Sequence, residues 1–74
     1  MAVVHVKLEY PLSQVKEPII YHLVKDYQIR PNILRAKIDV HEGGTLDLEL
    51  EGEPAQIQKG VSFLRDLGIG VTEV

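Results

Sequence analysis

The residue types able to do chemistry in this 74-residue chain are few and scattered. There are three histidines and no cysteine, which excludes a thiolate nucleophile, a disulfide and a cysteine-ligated zinc or iron–sulfur centre. His5, His41, Asp39 and Asp47 fall at outward positions of alternating segments, and imidazole with carboxylate is competent for zinc. They span three segments without compact ligand spacing, so the expectation is solvated strand residues and no metal. His22 falls on the flank of a helical pattern, as a boundary residue does. Ser13 and Ser62 stand alone, with no base in any recognisable motif. The stretch YPLSQVKEP has neither the glycine-rich loop nor the arginine that would cradle a phosphate. The expectation is a non-enzyme with no catalytic residues and no cofactor.

One stretch stays open on this inventory: QIRPNILRAKIDV, residues 28–40. A proline and an asparagine precede an alternating run there. Asn32 either makes a local Asx turn where a strand begins or offers its amide to a ligand.

Composition narrows the field further. A net charge of −3 gives no electrostatic footprint for a phosphate backbone, so nucleic acid is not an expected partner. At 45% hydrophobic and 26% charged residues, the chain is that of a folded globular protein. Its opening residues, MAVVHVKLEY, mix charge with apolar positions, unlike a signal peptide or a membrane span. A soluble, cytoplasmic protein without direct membrane contact is expected, with residues 1–74 forming one domain whose core is marginal.

The elements that must position these residues follow from periodicity. Residues 3–10 alternate, with Val4, Val6, Leu8 and Tyr10 on one face, and Pro11 ends the strand. Ile19, Ile20, Leu23, Val24 and Tyr27 recur at helical spacing. Pro18 fits a first turn, which starts that helix near residue 16 or 17, with Lys16 as cap and Val15 and Ile20 as a hydrophobic staple. The helix ends near Tyr27 or Gln28.

Residues 33–41 and 45–51 alternate again around Gly43 and Gly44, which reads as a hairpin. Leu34, Ala36, Ile38 and Val40 take one face of the first of these strands. A three-residue loop over 42–44 sets Val40 opposite Leu46, Ile38 opposite Leu48 and Ala36 opposite Leu50. It also pairs Lys37 with Glu49 and Arg35 with Glu51, and sets Asp39 against Asp47 unfavourably. Pro54 opens a second helix with a stripe of Ile57, Val61, Leu64 and Leu67. Gly68 followed by Ile69 reads as a left-handed cap, and IGVTEV as a last strand with Ile69 and Val71 inward.

The order β-α-β-β-α-β is the ferredoxin-like pattern, an α+β fold. Right-handed crossovers place both helices on one face of a four-stranded antiparallel sheet, in spatial order fourth, first, third, second. The strand beginning near Asn32 is then an edge. The uncovered face carries His5, Lys7, Glu9, Asp47, Glu49 and Glu51 and no aromatic residue, so it offers no base-stacking platform for RNA.

The words RPNILRAKIDV and GGTLDLELEG, followed by a helix and LGIGVTEV, closely resemble the NIL domain family, whose motif stands here as Asn32, Ile33 and Leu34. The tripeptide with Gly44 and Gly52 in place is a fairly specific match, and matching features cover nearly the whole chain. The resemblance implies an ACT-like regulatory domain of the kind found at the C-terminus of methionine ABC-transporter ATPases, where it pairs into a dimer and binds methionine. Read as a stand-alone form, the chain lacks the ATPase module, and without cysteine it is not the family's ferredoxin fusion. The resemblance puts Asn32 at the ligand. Ile33, Leu34 and Tyr27 are then the nearest apolar side chains for a thioether tail. Arg30 is either a partner for the carboxylate or an exposed loop arginine. The resulting expectation is a methionine-like amino-acid ligand and a homo-oligomer. The rival is a non-enzymatic protein-interaction module that has lost ligand binding.

Overall fold

The structure, a computed structural model, describes residues 1–14 and 17–74. The elements are β1 (Ala2–Tyr10), a 3-10 turn (Leu12–Gln14), α1 (Ile19–Tyr27), β2 (Arg30–Asp39), β3 (Gly43–Gly52), α2 (Pro54–Asp66) and β4 (Gly70–Glu73). They form an α+β, ferredoxin-like domain. The antiparallel sheet runs β2-β3-β1-β4, the expected order, and β2 is an edge.

Alternation sorts the sheet as the sequence implies. Val6, Leu8, Leu46, Leu48 and Leu50 point to the helical layer, where they meet Leu23, Ile57, Val61 and Leu64. Gly60 sets the spacing between helices: a Cβ there would run into Ile29 Cδ1 of the α1–β2 corner and crowd Leu23.

The first helix starts later than its spacing suggests. Pro18 caps it, and the first helical hydrogen bond runs from His22 N to Pro18 O at 3.2 Å. Pro18 takes φ −80° and ψ 68°, outside helical geometry, so it sits before the first turn and not within it. The expected Lys16 cap and Val15–Ile20 staple involve Val15 and Lys16, which lie outside the described residues. Of the expected apolar stripe, Val24 is 51% exposed, whereas Ile19 and Leu23 are buried. Gln28 ends the helix in the left-handed region at φ 56°, and Ile29 N reaches back to Leu23 O at 3.0 Å. The second helix keeps its expected limits. Glu53 and Pro54 open it, and Gly68 at φ 87° with the bond from Ile69 N to Leu64 O closes it.

The hairpin corrects the expected register. Ala36 lies opposite Leu46 instead of Leu50, Ile38 opposite Gly44 instead of Leu48, and Arg35 opposite Asp47 instead of Glu51. The turn is Val40, His41 and Glu42, closed by Glu42 N to Asp39 O at 3.3 Å. The glycines therefore belong to the strand. Gly43 takes φ 84°, and Gly44 lets the β2 backbone pass so close that any Cβ would collide with Lys37 O. This register also removes the Asp39–Asp47 clash: Asp47 faces Arg35, and Asp39 accepts a hydrogen bond from His41 N at 2.6 Å.

A second correction lies at the family motif. The ladder shifts by one residue between Ile33 and Arg35, which leaves Leu34 as the extra residue of a bulge. Leu34 therefore does not share the inward face with Ala36 and Ile38. Ile33, opposite Leu48, takes that face.

Candidate functional site

On the uncovered face the register builds rows across three strands. Val3, Glu51 and Arg30 form one row, and His5, Glu49 and Asn32 the next. Lys7, Asp47 and Arg35 follow, then Glu9, Thr45 and Lys37. The acidic positions of β3 thus run beside the basic positions of β2, and each crossing sets opposite charges or a polar pair face to face.

Two rows enclose a hollow of about 330 Å³ lined by Val3, Arg30, Pro31, Asn32, Glu49 and Glu51. That is the lower end of the volumes that hold small ligands, about 300–1,000 Å³. Asn32 Nδ2 donates to Glu49 Oε1 at 3.3 Å, and Arg30 Nη1 lies 3.4 Å from Glu51 Oε1. Both contacts are long and solvent-exposed, so neither holds its partners firmly. Beside Glu49, His5 is partly buried, and its Nε2 is closed to solvent without a hydrogen-bond partner.

Of the five residues singled out from the sequence, Arg30 and Asn32 line this hollow. Ile33 and Leu34 lie on the same edge strand at 52% and 48% exposure, with Ile33 turned toward the helical side. Tyr27 is elsewhere. It packs on Phe63 of α2 with ring centroids 5.4 Å apart and lines a separate hollow on the helical layer. Glu49 and Glu51, which the sequence pairs with Lys37 and Arg35, stand opposite Asn32 and Arg30 instead. Their signal was the hairpin register, and the Asp39–Asp47 clash of the register expected from the sequence was the clue that it needed shifting.

The histidines separate. Asp39 and His41 sit at the hairpin tip while Asp47 lies in mid-sheet, and no group of three or more His, Asp or Glu among the described residues is placed to hold a metal ion. His22 lies between Asp26 at 3.1 Å and Glu17 at 3.4 Å and packs edge-on against Phe63.

Fold and site together define a small ferredoxin-like domain with a polar hollow at the open edge of its sheet. The family model described as NIL domain matches residues 4–73, and the chain belongs to this family. Among curated proteins, the methionine import ATP-binding protein MetN of Protochlamydia amoebophila is 40% identical over 63 residues, covering 81% of this chain and 18% of that protein. The protein of the same name from Desulfitobacterium hafniense is 36% identical over 73 residues, covering 92% and 22%. The chain thus spans about a fifth of the length of these relatives. Among solved structures, the C-terminal domain of an ABC transporter ATP-binding protein from Enterococcus faecalis superposes with a TM-score of 0.84 at 28% identity, covering 96% of this chain and 82% of that one. No helix among the described residues is long and apolar enough to cross a membrane.

Proposed function

We propose that this domain is a regulatory module that binds methionine or a related amino acid at the edge of its sheet, and that it acts as a homodimer in the cytoplasm without catalysis of its own. The carrying observation is that Arg30 and Asn32 line one hollow on the strand that bears the family motif. Similarity to methionine import ATP-binding proteins supports the choice of ligand. An amino acid brings one carboxylate and one ammonium, and the hollow offers a guanidinium, a primary amide and two carboxylates to receive them. The thioether tail would lie along Leu34, half-exposed at the same edge, because Ile33 is turned to the other face of the sheet.

Self-association is supported by β2 itself. It is a ten-residue edge strand with unpaired backbone groups, and Ile33, Leu34 and Ile38 of it stay about half-exposed. The same exposed edge favours the second reading, an interaction module without a ligand, because Arg30 and Asn32 already have partners within the chain.

Thermal-shift and calorimetric titration with methionine separates the two. At a hundredfold excess over Kd, binding stabilises the fold by about 2.7 kcal/mol, and Asn32→Ala abolishes that shift while remaining folded. No shift with any proteinogenic amino acid at millimolar concentration would sink the ligand reading. A monomer by light scattering at high protein concentration would remove the dimer from both.

A further inference from the structure

Glu49 differs from the other carboxylate of the hollow. Glu51 faces Arg30, whereas Glu49 has no cationic partner among the described residues. Its side-chain hydrogen bond among those residues is the 3.3 Å contact from Asn32 Nδ2. The register places His5 on its other flank, where Nε2 is closed to solvent and unpartnered. An unneutralised carboxylate next to an unsatisfied polar atom marks a row that is incomplete as it stands. Arg30 is two residues along the strand from Asn32 on the same face, about 6.5–7 Å away, and is 81% exposed.

Resting on the amino-acid reading above, we propose that Glu49 receives the ammonium of an α-amino acid and Arg30 its carboxylate, so that the hollow selects the zwitterion over either half of it. The two charged groups of such a ligand sit on one carbon. With a charge-assisted hydrogen bond of about 2.8 Å at each end they bridge from the Glu49 row to the Arg30 row. Asn32 loses its long bond to Glu49 and turns its donor and acceptor to the ligand. The Arg30–Glu51 pair is loose and exposed, so a ligand carboxylate competes with Glu51 without uncovering a buried charge.

The test is calorimetry with three probes that share one tail: methionine, its desamino acid and its decarboxylated amine. Wild type should bind methionine at least about tenfold more tightly than either half, since a hydrogen bond to a charged group carries that much. Glu49→Gln should weaken methionine by a similar factor and leave the desamino acid unchanged. Arg30→Gln should do the same with respect to the amine. Both positions are on the solvent side of the sheet, so the unliganded melting temperature should move little. If Glu49→Gln does not fold, the wild-type series alone decides. Equal binding of methionine and its desamino acid, or methionine binding indifferent to a folded Glu49→Gln, overturns this assignment and leaves the amino-acid site standing. No binding of methionine at all overturns both.

Discussion

The two strands of the hairpin are equal in length and opposite in character. Along β3, residues 46, 48, 50 and 52 are buried and alternate with partly covered acidic positions. Along β2, Pro31 alone is even partly covered. Both strands alternate apolar and charged residues, so the difference is one of place. β3 has a neighbour on each side and its leucines in the core beneath the helices, while β2 has one neighbour and its Ile33 and Ile38 stay about half-exposed. Burial by position, not by composition, makes one strand the centre of the core and leaves the other free to meet something else.

The sharpest way to break the contrast is to truncate one apolar residue on each strand. Leu48 is fully buried and Ile33, directly opposite, is half-exposed. Leu48→Ala should destabilise by about 2–5 kcal/mol, and Ile33→Ala by about 1 kcal/mol, in denaturant unfolding. Equal losses would mean that β2 is buried in solution by association. Gly44→Ala attacks the joint between the strands. The new methyl group meets the Lys37 carbonyl and Ile38 Cα, backbone that cannot rotate away. A loss of about 1–3 kcal/mol is expected, with disorder of the β2 amide signals and sparing of β1 and β4.

The architecture was legible because every element announced itself twice, by periodicity and by punctuation. Pro11, Gly52, Pro54 and Gly68 stand where strands and helices stop or start, and the apolar faces agree with them. The hairpin register was not legible, because paired glycines signal both a turn and a close backbone approach, and only packing of Gly44 against β2 tells the two apart. The bulge at Leu34 was hidden for a related reason. An extra residue within an alternating run leaves the alternation intact on paper and shifts it in space. Of the site, Asn32 and Arg30 could be reached along the strand itself, but Glu49 and Glu51 depend on a cross-strand register that a one-dimensional reading misjudged. Tyr27 is close in sequence to the motif yet faces α2, since the left-handed Gln28 turns the chain between them.

Tyr10 tests the same joint from β1, where it lies across from Gly44. Its hydroxyl donates to Glu17 O at 2.7 Å, and burial, with Glu17 nearby, raises its pKa above the usual 10.0. The neutral phenol is therefore favoured in the folded state. Its stabilisation is complete below the unfolded pKa of about 10 and is lost as pH rises through the higher folded value. Tyr10→Phe should cost about 1 kcal/mol at neutral pH and flatten the alkaline fall in stability. A fall that is unchanged in the variant would assign it to other groups.

The smallest expected effect is the most informative about β2. Asn32 holds Glu49 through one long, exposed hydrogen bond, so Asn32→Ala should change unfolding free energy by no more than about 0.5 kcal/mol. The residue that names the family motif would then be nearly silent in folding. That outcome would fit the ligand role proposed for Asn32, on a strand that the core does not cover. If Asn32→Ala instead costs more than about 1.5 kcal/mol, the amide is a structural clamp between β2 and β3. The edge strand would then owe its order to that clamp, and the contrast between the two strands would narrow.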